Sequence, residues 1–87
     1  MIKPEELQAL KTFTWIDVLR DIRGSKRTTG EIRKRTGISS ATISSALDAA
    51  LEAGLVQHEI VRGRFYYTTT SRFAEVYTEL IKEIKGK

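Results

Sequence analysis

Gly37 breaks what would otherwise read as a continuous helical stretch from Thr28 to Ala53, and its surroundings dictate two helices joined by a tight turn. On its N-terminal side Thr28 and Glu31 have the spacing of a capping box, in which a hydroxyl and a carboxylate each satisfy an amide left free at a helix start. The helix they open runs about two turns through Ile32, Arg33, Lys34 and Arg35 before glycine offers the left-handed conformation that ends it. Ile38 then faces inward, and Ser39 is placed to cap a longer helix over Ser40 to Ala53. Along that helix Ile43, Ala46, Leu47, Ala50 and Leu51 recur at helical spacing and form an apolar stripe, closed by Gly54.

The flanks follow the same logic. Pro4, Glu5 and Glu6 read as the first turn of a short helix reaching about Lys11, because proline is tolerated at the first helical position and acids complement the positive end of the helix dipole. Thr14 and Asp17 form a second capping-box-like pair, with Phe13 placed to staple onto Val18, and Trp15, Ile16, Leu19 and Ile22 give this helix an apolar face that ends at Gly24. Leu55 to Val61 and Phe65 to Thr69 are rich in β-branched and aromatic residues and flank Arg62, Gly63 and Arg64, which predicts a β-hairpin. From Thr70 or Ser71, either of which can cap, the residues Phe73, Val76, Tyr77, Leu80, Ile81 and Ile84 mark a final amphipathic helix. The fold class is mainly α with a small β-hairpin, and 87 residues support one domain with one modest core.

Several chemistries are excluded or made poor candidates by what is absent. There is no cysteine, so neither a disulfide framework nor a thiolate zinc site can form, and the single histidine, His58, has no second imidazole with which to share a metal. No metal and no cofactor is expected. The acids occupy helix starts and surface settings, and no serine, histidine and acid set has nucleophile context, so no catalytic residues and no enzymatic activity are expected. The N-terminus carries acids where a signal peptide would carry an apolar run, and no segment approaches the ~18 unbroken apolar residues of a membrane span. A cytoplasmic protein without membrane contact is the expectation.

The net charge of +4 is a mild lean toward polyanions, but its distribution is more telling. Between Arg23 and Ser39 six basic residues, Arg23, Lys26, Arg27, Arg33, Lys34 and Arg35, stand against Glu31 alone, a local +5. From Ser40 to Val61 the three acids leave −3 apart from Arg62 and Arg64, which follow at the hairpin tip.

The run Thr36, Gly37, Ile38, Ser39, Ser40, Ala41, Thr42, Ile43, Ser44, followed by Leu51, Glu52, Ala53, Gly54, Leu55, Val56, resembles the turn, recognition helix and wing entry of winged helix-turn-helix regulators. These are typified by the MarR and ArsR families and by small archaeal and viral relatives, and the resemblance covers roughly Thr14 to Thr70. It implies a single winged-helix domain over 1–87, with an N-terminal helical extension (1–13), a core (14–69) and a C-terminal helix (70–87). It also implies a transcription regulator that binds double-stranded DNA in a sequence-dependent or shape-dependent manner. In that arrangement the glycine turn lets the second helix project into a major groove. Ser40, Ala41, Thr42, Ser44 and Ser45 are then the recognition candidates, with Asp48 near the same face. Arg62, Gly63 and Arg64 form the wing tip, where arginine suits a narrow minor groove. Lys26, Arg27, Thr28, Arg33 and Lys34 are the phosphate-contact candidates.

Two departures stand out. Arg33 occupies the helix-packing position where such motifs usually place alanine, which implies either a guanidinium that snorkels outward or a shifted register. The exposed face of the recognition helix holds no arginine or lysine, the commonest readers of guanine edges. Affinity must then come from charges placed elsewhere.

Plainer readings stand beside these. Basic runs are usually solvated faces, arginines in a turn can simply keep a hairpin edge soluble, and serines at a helix start can act only as caps. His58 reads as a half-exposed packing residue, and Tyr66 and Tyr67 as wing packing. The stripe Phe73, Val76, Tyr77, Leu80, Ile81 and Ile84 either serves the protomer's own core or invites a partner, and we expect it to form a homodimer interface, shared with the N-terminal helix. The uncharged recognition helix is the feature that favours the alternative function, a protein-interaction winged helix without DNA.

Overall fold

Three hydroxyls set where the central helices begin. Thr12 accepts a hydrogen bond from the Trp15 amide at 3.1 Å, Thr28 from the Glu31 amide at 3.2 Å, and Ser39 from the Thr42 amide at 3.3 Å. In the computed structural model, which describes residues 1–85 and the side chains as far as Lys82, the elements follow in the order α1 (Pro4–Ala9), α2 (Phe13–Asp21), α3 (Thr29–Thr36), α4 (Ser40–Glu52), β1 (Val56–Val61), β2 (Arg64–Thr69) and α5 (Ser71–Lys85).

The capping box of α3 is formed as expected, with the Thr28 amide donating to Glu31 Oε1 at 2.9 Å, and Gly37 ends the helix at φ 75°. The start of α2 differs from the expectation. Its cap is Thr12, two residues before Thr14, which places Phe13 inside the first turn, 83% exposed, rather than stapled onto Val18. The hydrogen bond from Trp15 to Thr12 favours this earlier entry. Helix α1 stops at Ala9, short of Lys11.

The core is organised around α4, whose Ile43, Ala46, Leu47 and Ala50 are buried against Val18, Leu19 and Ile22 of α2, Ile32 of α3, Leu55, and Phe73 and Val76 of α5. Ala9 and Leu10 belong to the same cluster. Burial of large side chains contributes roughly 1.5–3 kcal/mol each, and it is what holds helices this short in place.

Strands β1 and β2 pair antiparallel from Val56↔Thr69 to Val61↔Arg64, leaving a two-residue turn of Arg62 and Gly63. Both turn residues have positive φ, 52° and 78°, as the mirror-image turn that matches strand twist requires. Arg27 extends the sheet on the far side of β2: its amide donates to the Tyr67 carbonyl at 3.0 Å and its carbonyl accepts from the Tyr67 amide at 2.8 Å. The hairpin is thus anchored beside the start of α3. Its other end is tied to α5 through Thr70, whose amide donates to the Leu55 carbonyl at 2.9 Å and whose hydroxyl donates to the Gly54 carbonyl at 2.7 Å.

Candidate nucleic-acid interface

The candidate residues lie on α3, α4 and the hairpin. With Ile43 and Leu47 turned into the core, α4 presents Ser40, Ala41, Ser44, Ser45 and Asp48 to solvent. Thr42 is half-buried, and its hydroxyl accepts a hydrogen bond from Ser39 Oγ at 2.9 Å. This face carries small hydroxyls and methyls that can approach a base edge or phosphate closely, but no cation.

The position of Arg33 resolves the register question. The packing position of α3 is held by Ile32, which is fully buried, while Arg33 is exposed together with Lys34 and Arg35. Arg33 is therefore not at the packing position expected for it, and its side chain is exposed rather than in the helix contact.

Ion pairing sorts the basic residues into two groups. Asp21, at the end of α2, is shared by two arginines: Arg35 Nε donates to its Oδ1 at 2.9 Å, while Arg27 Nε donates to its backbone carbonyl at 3.0 Å and stands 3.6 Å from Oδ2. Lys26 pairs with Glu59 across the hairpin. Arg33, Lys34, Arg62 and Arg64, by contrast, have no acidic side chain within 4.0 Å among the described residues. Of the five phosphate-contact candidates, then, Arg33 and Lys34 are free, Lys26 and Arg27 already hold acids, and Thr28 uses its hydroxyl as a cap. The Asp21 node has no signature in the sequence, because a surface-spaced aspartate looks the same whether or not two arginines converge on it.

The hairpin brings Arg64 to the start of α3. Thr28 and Thr29 line a cleft with Arg64, Phe65 and Tyr67, so the wing base and the start of α3 form one surface. The carboxyl of Glu31 is held below the usual range by the Thr28 amide and hydroxyl, with Arg27 and Arg64 adding favourable charge. Burial raises the Tyr67 hydroxyl above its ordinary value, with Asp48 adding to the effect. His58 is exposed, with its ring 5.5 Å from Phe65 and 6.0 Å from Tyr67.

The expected dimer surface is corrected in two places. Phe73 and Val76 are fully buried in the protomer's own core, because α5 packs one edge of its stripe into the bundle, so neither can face a partner. Tyr77 and Leu80 are partly buried against that core, with Tyr77 stacked on Phe73 at 5.4 Å, and Ile81 is partly exposed outside it. The Ile84 side chain lies outside the described residues. Leu7 of α1, which the sequence did not single out, and Phe13 of α2, expected there as a staple, are exposed apolar residues.

A glycine-turned helix pair, a hairpin beside it and a closing helix define a winged helix-turn-helix protein. The chain belongs to the MarR family, whose profile matches residues 12–64. No curated protein sequence matches it. Among solved structures it is similar to an ArsR-like transcriptional regulator from Rhodococcus sp. RHA1, with TM-score 0.76, 18% identity and 94% of this chain and 77% of that chain covered. NolR from Sinorhizobium fredii gives TM-score 0.76 at 19% identity over 99% of this chain and 96% of that one. The homodimeric winged helix-turn-helix DNA-binding domain of Mb0332 from Mycobacterium bovis, a possible ArsR-family regulator, gives TM-score 0.71 at 24% identity over 92% and 79%. No helix among the described residues is long and apolar enough to cross a membrane.

Proposed function

We propose that this protein is a cytoplasmic, non-enzymatic transcription regulator that binds double-stranded DNA as a homodimer. The observation that carries the reading is the set of unpaired cations on the elements flanking a helix that itself bears no cation: Arg33 and Lys34 on α3 and Arg62 and Arg64 on the wing. In this reading α4 enters the major groove with Ser40, Ala41, Thr42, Ser44 and Ser45 at the base edges. Hydroxyls bond bases or phosphates there, and the methyls of Ala41 and Thr42 meet thymine. Arg62 and Arg64, set by Gly63, reach the minor groove, where negative potential is concentrated. Arg33 and Lys34 hold phosphates, joined by Thr28 and by Lys26 and Arg27 when those two loosen their acid partners. Readout is then sequence-dependent through small groups and shape-dependent through the wing.

Membership of the MarR family and the homodimeric DNA-binding domain of the Mb0332 neighbour support the same assembly. Tyr77, Leu80 and Ile81 form the partner surface, so that two copies of α4 meet successive major grooves about 34 Å apart. The deciding experiment is duplex binding by fluorescence anisotropy between about 50 and 200 mM salt. Micromolar or tighter binding that weakens by orders of magnitude across that range supports the reading. Absence of binding at low salt replaces it with a protein-interaction module.

A further inference from the structure

The side chain of Asp21 is only 11% exposed, and one carboxylate there serves two arginines. Arg35 Nε takes Oδ1, whereas Arg27 Nε takes the backbone carbonyl and stays 3.6 Å from Oδ2. Oδ2 is thereby left buried without a hydrogen-bond partner. An open buried acceptor costs stability, so a cluster shaped for stability alone would close it. Both guanidinium groups are held by the Nε edge, and their Nη nitrogens donate no hydrogen bond among the described residues. Two guanidinium charges against one carboxylate leave the cluster at +1.

The cluster borders the candidate DNA surface. Arg27 directly precedes the Thr28 cap of α3 and is paired through its backbone with Tyr67, a wall of the cleft that also holds Arg64. Arg35 lies exposed on α3 next to Arg33 and Lys34. The two arginines differ in anchorage: Arg27 is 23% exposed and fixed by its backbone, whereas Arg35 is 52% exposed and held by one side-chain hydrogen bond. A phosphodiester brings a full charge and two acceptor oxygens to the open Nη edge, so it competes well with Asp21, and for Arg35 before Arg27.

We propose that Asp21 is a built-in competitor for DNA phosphate, withholding Arg27 and Arg35 from the duplex until a phosphate displaces it, Arg35 first. The proposal rests on the DNA reading above and adds to it a residue that lowers affinity and a cation, Arg35, outside the phosphate-contact set. Because α4 bears no cation, attraction to DNA comes mainly from phosphate contacts, which are blind to sequence. Withholding two cations weakens the hold on arbitrary duplex and leaves the base-edge contacts of α4 a larger share of the total.

The test uses the full chain with Asp21→Asn, which removes the charge and keeps an oxygen that accepts from Arg35. Asp17→Asn, at an exposed acid one turn earlier on α2, controls for simple loss of a negative charge. Circular dichroism checks folding, and anisotropy on one duplex of arbitrary sequence is measured across the salt series. Asp21→Asn is expected to bind about three- to tenfold more tightly at low salt, with a slope steeper by about 1 to 2 as one or two further phosphates are engaged. Asp17→Asn is expected to stay within about twofold of the wild type. In an Arg35→Gln background the gain from Asp21→Asn shrinks, because the cation it releases is gone. Wild-type or weaker binding by Asp21→Asn, or an equal gain from Asp17→Asn, overturns the proposal, while binding by the wild type itself keeps the DNA reading intact. Absence of duplex binding by both the wild type and Asp21→Asn removes both. A readout free of substitution is the Arg35 Nε–H resonance in nitrogen-15 spectra of the wild type, which is expected to shift on saturation with duplex as its bond to Asp21 is exchanged. An unmoved resonance overturns the proposal even if Asp21→Asn fails to fold.

Discussion

The guanidinium of Arg72 grips both carboxylate oxygens of Glu6, Nε to Oε2 at 2.6 Å and Nη2 to Oε1 at 2.8 Å, closing α5 onto α1 across 66 residues of sequence. The carboxylate is almost fully buried and also accepts from the Lys3 amide at 2.8 Å. The remaining donors of Arg72 reach the Met1 carbonyl at 2.8 Å and Glu75 at 3.1 Å. This pair fixes the N-terminus to α5, the helix proposed to carry the partner surface.

Arg72→Ala should therefore destabilise the protein by about 2 to 4 kcal/mol, because it leaves a buried carboxylate without its counter-charge. Urea unfolding followed by circular dichroism reads this as a lower midpoint with the slope retained. An unchanged midpoint would show that the pair is dispensable.

The same pair dictates the acid limb of stability. The Arg72 hydrogen bonds hold the Glu6 carboxyl down to about 2, against 4.5 for a free glutamate, with burial opposing them. A depressed folded-state value means that the contribution is present in full above about 4.5 and is lost as pH falls from there toward 2. Thermal melts of the wild type and of Glu6→Gln over this interval should converge as pH falls, whereas parallel curves would remove Glu6 from the acid limb.

Arg62→Ala with Arg64→Ala should weaken duplex binding and reduce the salt slope by up to about 2, as expected if each arginine releases one counterion from a phosphate. Normal binding by this variant would remove the minor-groove role of the wing tip.

Helix α5 separates folding from assembly. Truncation after Thr70 removes Phe73 and Val76 from the core and should leave an unfolded chain. Ile81→Glu touches only the outer side of α5 and should give a folded monomer by sedimentation. A folded dimer carrying this substitution would move the interface to another surface, with exposed Leu7 and Phe13 the first to examine.

Most of the helix starts and the hairpin were legible because each is written in local chemistry: Thr28 with Glu31, Gly37, Ser39 and the turn at Gly63 are signals a few residues long, whereas the pairing of Arg64 with Val61, which shortens the turn to two residues, was not. The misreading at Thr12 and Phe13 has the same origin. Two threonines stand two residues apart, and only the hydrogen bond from Trp15 decides between them. What could not be read is long-range. Nothing near Glu6 announces Arg72, and nothing near Asp21 announces Arg27 and Arg35. The stripe on α5 is visible as a stripe, but which of its residues face inward depends on where α4 and α2 lie, and that assigns Phe73 and Val76 to the core.

Arg62 adopts a left-handed backbone conformation, φ 52°, in which an ordinary L residue is disfavoured by about 1 kcal/mol relative to glycine or asparagine. The tip of the wing is thus a position where durability and reach compete. A chain selected for heat resistance would drift toward asparagine there and give up the DNA contact proposed for Arg62, whereas one selected for that contact would keep the strained arginine.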